Sequence, residues 1–391
     1  MIAIKLALRN LLGAGLRTWL NVIVLSFSYV LIIWTQGFYL GMYDQAKYFL
    51  IKEEVGGGQY WQKNYDPFDP LTLSDSHSVI PTKLAKLIRQ KQAVPILVRQ
   101  ASIYPSGRMQ NVIMKGIDPN QTLLQFPTSA LKNANIELPV LIGTEMAKTT
   151  KLKEGDEFTV RWRDAEGTFD ALDGTVVKIM KSRSPNIDRG QIWIPLKTMQ
   201  KITKMPNEAT AITIHPELEN IPQISGWKFK DLDYFLEDVE NFVEAKTAGA
   251  GIMYLLLMFL ALLAIFDTQV LAVFKRRKEI GTMMAMGLTR AKVIFLFTFE
   301  GAIYGILAAI LAAIWGLPIL AVTAIYGIPL PEISRATISF GVAERMFPTY
   351  SLALVLGTTL LILISVTIVS FLPTRKISKL KPTDAIRGKA S

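Results

Sequence analysis

The sequence predicts an α-helical membrane protein with four transmembrane helices and a large α+β extracytoplasmic domain on a helical stalk. Half of the 391 residues are hydrophobic, and the mean hydropathy of +0.31 is high for a soluble protein. Four stretches are long and apolar enough to cross a bilayer, which takes roughly 20 residues. The excess positive charge lies in short segments beside these stretches, as is typical of membrane proteins.

The predicted spans divide the chain into membrane segments, loops and one long domain. We assign residues 1–19 to a cytoplasmic amphipathic helix, 20–43 to the first span, 44–247 to the extracytoplasmic domain with its stalk helices, 248–274 to the second span, 275–292 to a cytoplasmic loop, 293–319 to the third span, 320–349 to an extracytoplasmic loop, 350–372 to the fourth span and 373–391 to a cytoplasmic tail. The first span is too long for a signal-peptide core and is predicted to be an uncleaved anchor.

The net charge of +11 comes from three short segments. Residues 1–19, 275–292 and 373–391 together carry 15 Lys or Arg and two acids, whereas 44–247 carries 26 residues of each sign. The positive-inside rule therefore predicts that both termini and the loop 275–292 lie in the cytoplasm. Because the charge is explained by topology, it gives no reason to infer nucleic-acid binding.

No catalytic or metal site is predicted. The sequence has no cysteine and only two histidines, which excludes a thiolate metal site, a disulfide framework and an HExxH motif. The stretch GTEMAKTT at residues 143–150 lacks the second glycine and the spacing of a phosphate-binding loop. We therefore expect a chain that is not an enzyme and binds no cofactor, so that energy for any work must come from another subunit.

Alternating apolar residues predict strands in the long domain. In FTVRWR, for example, Phe158, Val160 and Trp162 share one face. Further strands are predicted in VPILVRQASIY, QNVIMKGI, GTVVKIM, GQIWIP and ATAITI, and helices near 81–91, 144–151 and 196–202. Apolar spacings of three and four then predict an amphipathic helix that continues into the second span, over 231–274. We interpret this helix as a stalk that transmits movement, a plain linker helix being the alternative.

The loop between the second and third spans combines cations with apolar residues, FKRRKEIGTMMAMGLTRAKV at 274–293. Residues 277–286 are predicted to form a short helix that Gly287 ends in the left-handed conformation. Thr289 can then cap the following helix. Three methionines provide an adaptable apolar surface on this loop: Met283, Met284 and Met286. Such a surface suits a protein partner, or, as the alternative, insertion of the methionines into lipid.

Four residues inside the predicted spans are candidates for special roles. Asp267 lies in the middle of the second span, where an unpaired carboxylate is costly. It is either a polar contact across a helix or subunit interface, or a protonated or hydrogen-bonded structural residue. Glu300 lies near the inner interface and is predicted to meet cationic neighbours and orient the loop. Gly301 and Gly305 form a small-xxx-small pair suited to close helix packing.

The same loop resembles the signature of FtsX/MacB/LolC-type ABC transporter permeases, which precedes the second-last span of that family. The matching residues are Arg276, Lys278, Glu279, Ile280, Gly281, Ala285 and Gly287. The tail LPTRKISKLKPTDAIRG is similar to the end of the family through Pro373, Pro382, Ala385, Ile386 and Arg387. The resemblance is specific over residues 248–391 and looser over the outer domain.

This resemblance implies a coupling helix that docks on a cytoplasmic ATPase. The ATPase-coupling residues that it implies are Arg276, Lys278, Glu279, Ile280, Gly281, Met283, Met284, Ala285, Met286 and Gly287. It further implies two copies of that ATPase, which would hold ATP and Mg, and a second permease subunit, identical or paralogous. A periplasmic carrier or adaptor and membrane lipid complete the expected partners.

The function implied by the resemblance is that of a permease subunit in the bacterial inner membrane, most similar to the LolC/LolE lipoprotein-releasing group. Such permeases are expected to work by mechanotransmission, in which ATP-driven movement of the stalks works the outer domain and extracts a lipoprotein or another lipophilic substrate. The alternatives are MacB-like export of peptides or drugs, FtsX-like activation of a periplasmic cell-wall hydrolase without transport, and a membrane-tethered receptor with no ATPase.

Overall fold

A computed structural model describes residues 16–133, 135–218, 221–331, 338, 340–375 and 377. The predicted amino-terminal amphipathic helix and most of the tail 373–391 lie outside these residues. The chain divides into two units, a helical unit and a β unit. The helical unit comprises the residues up to 42, Phe242–Pro329 and the residues from 345 onward, and the β unit comprises Tyr43–Asn241 and Leu330–Glu344.

The secondary structure alternates long apolar helices with a strand-rich middle. The helices are α1 Leu16–Phe49, α2 Thr82–Arg89, α3 Thr144–Thr150, α4 Pro185–Gly190, α5 Leu196–Ile202, α6 Leu232–Lys275, α7 Arg277–Ala285, α8 Arg290–Tyr326 and α9 Leu352–Thr374. The strands are β1 Gln59–Gln62, β2 Ser78–Val79, β3 Ala93–Tyr104, β4 Gln110–Ile117, β5 Pro139–Gly143, β6 Glu157–Arg163, β7 Phe169–Met180, β8 Gln191–Pro195, β9 Glu208–Ala209, β10 Ala211–Ile214, β11 Trp227–Lys230, β12 Ile328–Pro329 and β13 Arg345–Met346.

In the helical unit, α1, α6, α8 and α9 pack around one apolar core. The buried contributors include Leu25 of α1, Ile265 of α6, Ala308 of α8 and Ile362 of α9. All four helices are long and apolar enough to cross a membrane. Their outward side chains are also apolar, which suits contact with lipid rather than water. The four spans predicted from hydropathy therefore each correspond to one helix.

The β unit is built on a nine-stranded sheet in the order β11-β1-β10-β3-β4-β8-β5-β7-β6. Because β3 also pairs with β6, the six strands from β3 to β6 in that order close into a barrel. The strands β4 and β8 run parallel, as do β5 and β7, and the other ladders in this sheet are antiparallel. Met114, Val140 and Trp162 are among the side chains that fill the barrel.

Alternation and apolar spacing located the elements of the β unit correctly. Every strand predicted above is present, with ATAITI divided between β9 and β10, and the three predicted helices correspond to α2, α3 and α5. The first seven residues of β3 are all buried, because the barrel core lies on one face and a second apolar cluster that includes Val98 and Trp193 lies on the other.

The helix predicted to run from the outer domain into the second span is continuous. α6 has 44 residues, which corresponds to about 66 Å at 1.5 Å per residue. Within the β unit, the Tyr43 hydroxyl of α1 donates a 2.9 Å hydrogen bond to Glu240 of α6. The chain leaves α1 through a π-helical turn, Leu50–Val55, which ends at Gly56 with a φ of 59°. A role of these helices as a moving stalk stays a prediction.

Candidate functional site

The residues predicted to couple to an ATPase lie on and around α7, between α6 and α8. Ile280 is completely buried and packs with Val273 and Phe297. Met283 and Met284 pack against the same cluster from partly buried positions. Positions 280, 283 and 284 share one face of a helix, since they are three and four residues apart. This face attaches α7 to the ends of α6 and α8.

The end of α7 follows the geometry that the sequence predicts for Gly287. Its φ is 95°, and its N–H donates to Met284 O at 3.1 Å while Leu288 N–H donates to Met283 O, also at 3.1 Å. These paired bonds are those of a Schellman motif. Thr289 occupies the first position before α8 with extended backbone, but its side chain makes no capping hydrogen bond. The predicted capping by its hydroxyl is therefore wrong.

The tip of α7 presents a small apolar surface. Met286 is 69% exposed and Leu288 is 37% exposed. Ala285, the last residue of α7, is exposed too. The surface differs from the sequence expectation, in which all three methionines face a partner. Only Met286 among the three is exposed, because the helical spacing turns Met283 and Met284 toward the apolar cluster.

Arg276 joins three helices at the start of α7. Its Nη1 lies 2.9 Å from Glu300 Oε2 of α8, and its Nε lies 2.7 Å from Glu279 Oε2 of α7. The guanidinium carbon also lies 4.7 Å from the centre of the Phe297 ring, a cation–π distance. The Arg276 and Glu300 side chains are only 22% and 14% exposed. The expectation that Glu300 meets a cationic neighbour is thus fulfilled by Arg276.

The electrostatics of Arg276 follow from this arrangement. Burial by itself lowers the pKa of the guanidinium, but the hydrogen bonds that it donates to Glu279 and Glu300, together with the charges of these carboxylates, outweigh burial and raise the pKa. Arginine is charged at any physiological pH, and its pairing with Glu300 links the start of α7 to α8. Of the remaining coupling candidates, Gly281 is buried beside Ile280 and Lys278 is exposed.

The two glycines predicted to support close packing lie at the contact between α8 and α9. A Cβ on Gly301 would overlap the Ser370 hydroxyl of α9 and lie 2.9 Å from Gln269 Nε2 of α6. A Cβ on Gly305 would lie 2.9 Å from Leu363 Cδ2 of α9. Both positions therefore have no room for a side chain.

Asp267 lies on an exposed face of α6. Within the described part of the chain, it has no hydrogen-bond or ion-pair partner. The adjacent Thr268 instead accepts a 2.8 Å hydrogen bond from Asn21 Nδ2 of α1. One interpretation of Asp267 was a structural hydrogen bond within the chain. The described residues make no such bond with it.

Among the described residues, no three His, Asp or Glu side chains lie close enough together to hold a metal ion. The site on α7 is therefore one of packing and charge. Sequence reasoning named Arg276 and Glu300 as separate candidates and expected Glu300 to meet a cation, without identifying Arg276 as that cation. It missed the contact of Arg276 with Phe297. The only sequence signal for this contact is an aromatic residue 21 positions further along the chain, on α8, and that signal is weak.

Comparison with known proteins finds a family match in the carboxyl-terminal third of the chain. Residues 251–382 match the family described as FtsX-like permease C-terminal, a range that includes α7, α8 and α9. The chain is also similar to the lipoprotein-releasing system transmembrane protein LolC of Xylella fastidiosa strain Temecula1, with 22% identity over 244 residues. That alignment covers 56% of this chain and 58% of the relative, so the chain spans little more than half the length of this relative.

A solved structure is also similar to part of the chain. It is the crystal structure of the extracellular domain of the noncanonic ABC-type transporter YknZ from Gram-positive bacteria. The sequences are 14% identical, the TM-score is 0.25, and the match covers 41% of this chain and 84% of that chain.

Four apolar helices of spanning length and a large β-rich unit define a multi-pass membrane protein with a domain outside the bilayer. Residues 251–382 match the FtsX-like permease C-terminal family, and this match and the similarity to LolC both support the FtsX/MacB/LolC-type family of ABC transporter permeases. The family resemblance drawn from the coupling loop and the tail is confirmed.

Proposed function

We propose that the chain is the permease subunit of an ABC transporter in the bacterial inner membrane and works by mechanotransmission. The observation that carries this proposal is the attachment of α7 to α6 and α8 through Arg276, Glu300 and the apolar cluster around Ile280, with Met286 exposed at the tip. When a partner displaces a short helix that is attached in this way, the helix can transmit the displacement to the 44-residue helix α6.

The partners in this proposal follow from the family. Two copies of a cytoplasmic ATPase hold ATP and Mg and dock on α7, so that this chain binds no cofactor, and a second permease subunit, identical or paralogous, completes the membrane part. The charge distribution supports an orientation with both termini and α7 in the cytoplasm and the β unit outside. The similarity to a lipoprotein-releasing protein supports a lipoprotein or another lipophilic molecule as the substrate, delivered to a periplasmic carrier or adaptor.

The docking of α7 is tested by Met286→Asp. Because Met286 is 69% exposed, we expect the variant to insert and fold normally. A charge in an apolar interface should weaken binding of the ATPase and lower the ATP-driven activity about tenfold. The measurements are co-purification of the ATP-binding subunit, recognised by its Walker motifs, and stimulation of its ATP hydrolysis by the permease in lipid nanodiscs.

A matched control is available in the β unit. Met109 is 62% exposed, so Met109→Asp places the same charge on an equally exposed methionine away from α7. This control should retain the ATPase and its stimulation. If Met286→Asp behaves like Met109→Asp, α7 is not the docking site.

Asp267 provides a test of pairing between two permease subunits. An ionised carboxylate in contact with lipid at the centre of a span costs about 2.5–3.5 kcal/mol, so a polar group of a second subunit is the expected neighbour. Asp267→Leu should leave the stability of the single chain unchanged or increased, since no described residue loses a bond, and should weaken dimerisation. The fraction of dimer in the purified protein is measured by chemical crosslinking that does not require cysteine and by mass photometry. Asp267→Asn serves as the polar control. A dimer of unchanged strength in Asp267→Leu would refute this contact.

A further inference from the structure

A cleft of about 680 Å³ lies in the β unit, on the two strands whose pairing closes the barrel, β3 and β6. Its other sides come from the 3₁₀ turn Pro70–Ser74 and from the connection between β6 and β7. The volume lies in the usual range of small-ligand sites, about 300–1,000 Å³.

Arg99, which lines the cleft, is a buried cation without an ion-pair partner among the described residues. It is 4% exposed, and its Nη1 donates hydrogen bonds of 2.7 Å to the backbone oxygens of Leu73 and Ser74. Its Nε and Nη2 groups make no hydrogen bond with the described residues, yet neither atom is closed off from solvent. These two groups form the edge of a guanidinium that can bind a carboxylate or phosphate through two parallel hydrogen bonds. One part of the Arg99 guanidinium is therefore held by the fold, and the other is available to an oxyanion.

The charges around Arg99 do not compensate for its burial. Burial lowers the pKa of Arg99, and the charges of Asp75, Glu208 and Asp164 act in the opposite direction without cancelling this effect. The charge of Arg163 lowers the pKa further. Because a desolvated cation close to a second cation is stabilised by an added negative charge, this environment favours an anionic ligand.

Two more guanidinium groups line the cleft, those of Arg161 and Arg163. Both side chains are exposed, and neither forms an ion pair with the described residues. The two acids of the connection between β6 and β7, Asp164 and Glu166, both pair with Lys204. The cations of the cleft are therefore not neutralised by these acids.

Two large apolar side chains also line the cleft. Leu71 of the 3₁₀ turn is 85% exposed and Phe169 of β7 is 62% exposed. Phe169 lies opposite Arg163 in the ladder between β6 and β7, and its ring centre lies 4.5 Å from the guanidinium carbon of Arg161. Exposed apolar side chains beside unpaired cations suit a ligand that has an apolar part and an anionic part.

We propose that this cleft binds an amphiphilic anion, a single phosphate or carboxylate group on an alkyl chain, with the oxyanion on Arg99 and Arg163 and the chain on Phe169 and Leu71. A polyanion such as a nucleic acid or an acidic peptide fits less well, because its further charges would meet the carboxylate of Asp75, which also lines the cleft. The inference concerns the β unit only and stands whether or not α7 docks an ATPase.

The test is calorimetric titration of the full chain in lipid nanodiscs with hexyl phosphate, hexanoate, inorganic phosphate and hexanol, each corrected for the heat measured with empty nanodiscs. At least one of the two alkyl anions should bind saturably, and the one that binds more tightly identifies the preferred oxyanion. Inorganic phosphate and hexanol should each bind at least about tenfold more weakly than that anion, because each has only one of the two parts.

Variants of the cleft separate the two parts of the ligand. Arg163→Met should weaken binding of the preferred alkyl anion at least about tenfold, and Arg99→Lys, which keeps the charge and removes the fork, about tenfold. Phe169→Ser should weaken binding of the alkyl anion about fivefold and leave that of inorganic phosphate unchanged. Arg89→Met changes an exposed arginine outside the cleft and should have no effect.

Several results would overturn the proposal. These are no saturable binding of either alkyl anion, binding of inorganic phosphate or hexanol as tight as that of the alkyl anion, or tighter binding of triglutamate than of both alkyl anions. Unchanged affinity in Arg163→Met, with the melting temperature of the variant equal to that of the parent chain, would also refute it. Because Arg163 is exposed, this variant decides the question even if Arg99→Lys fails to fold.

Discussion

Glu300→Ala should both destabilise the helical unit and reduce the ATP-driven activity of the assembly about a hundredfold. The substitution leaves the Arg276 guanidinium, 22% exposed, without the carboxylate that lies 2.9 Å away. Removing one partner of a largely buried ion pair costs about 3 kcal/mol or more, because the other charge stays desolvated. The polar link from α7 to α8 is lost at the same time, which leaves only the apolar contacts around Ile280. Thermal unfolding of the chain in detergent measures the first effect, and ATPase stimulation in nanodiscs measures the second.

A double variant separates stability from coupling. Replacing the pair by apolar residues of similar size, Arg276→Met with Glu300→Leu, should restore most of the melting temperature, since no charge is then left buried. It should not restore coupling, because the directional bonds to Glu300 and Glu279 that orient α7 are absent. As a control, Glu154→Ala removes an exposed partner of Lys178 and should change stability by less than about 1 kcal/mol. Full coupling in the double variant would show that the ion pair serves folding alone.

The helical unit was predictable from the sequence because its determinants are local. Apolar length identifies a span without knowledge of its neighbours. A cationic neighbour for Glu300 was expected because the short loop before its helix is rich in Lys and Arg, although the sequence did not single out Arg276. The exposure of individual methionines was not predictable in the same way. Met283, Met284 and Met286 are equivalent in composition, and only the packing of α7 on Val273 and Phe297 separates the buried side chains from the exposed one.

Besides the cleft, the β unit contains a cavity that could not be found from the sequence. Lys115 occurs in QNVIMKGI, where alternation is compatible with a solvated lysine on an ordinary strand, and Glu54 occurs in a charged stretch after the first span. Both residues line this cavity of about 710 Å³. Lys115 reaches it because β4 and β8 pair in parallel, which brings Lys115 opposite Trp193 from 78 positions away in the chain, and Glu54 reaches it from the turn after α1. Periodicity places a residue on a face of its own element, whereas sheet order decides what that face meets.

Gly301→Val should lower the stability of the helical unit by about 3 kcal/mol, as expected for added volume in a tightly packed contact. The new side chain would overlap Ser370, which is completely buried on α9, and would lie closer than van der Waals contact to Gln269 on α6. Both neighbours are buried and have little room in which to turn, so we expect α9 to move away from α8. Chemical unfolding of the detergent-purified chain, followed by circular dichroism, measures the loss.

The matched control for Gly301 lies on α9 itself. Gly357 is exposed, and a Cβ placed on it meets nothing within 4 Å. Gly357→Val should therefore change stability by no more than about 0.5 kcal/mol, although it adds the same volume to a helix of the same unit. A difference between the two variants isolates the α8–α9 contact from any general effect of valine in a membrane helix. Equal stability of both variants would mean that α8 and α9 do not depend on close approach at Gly301.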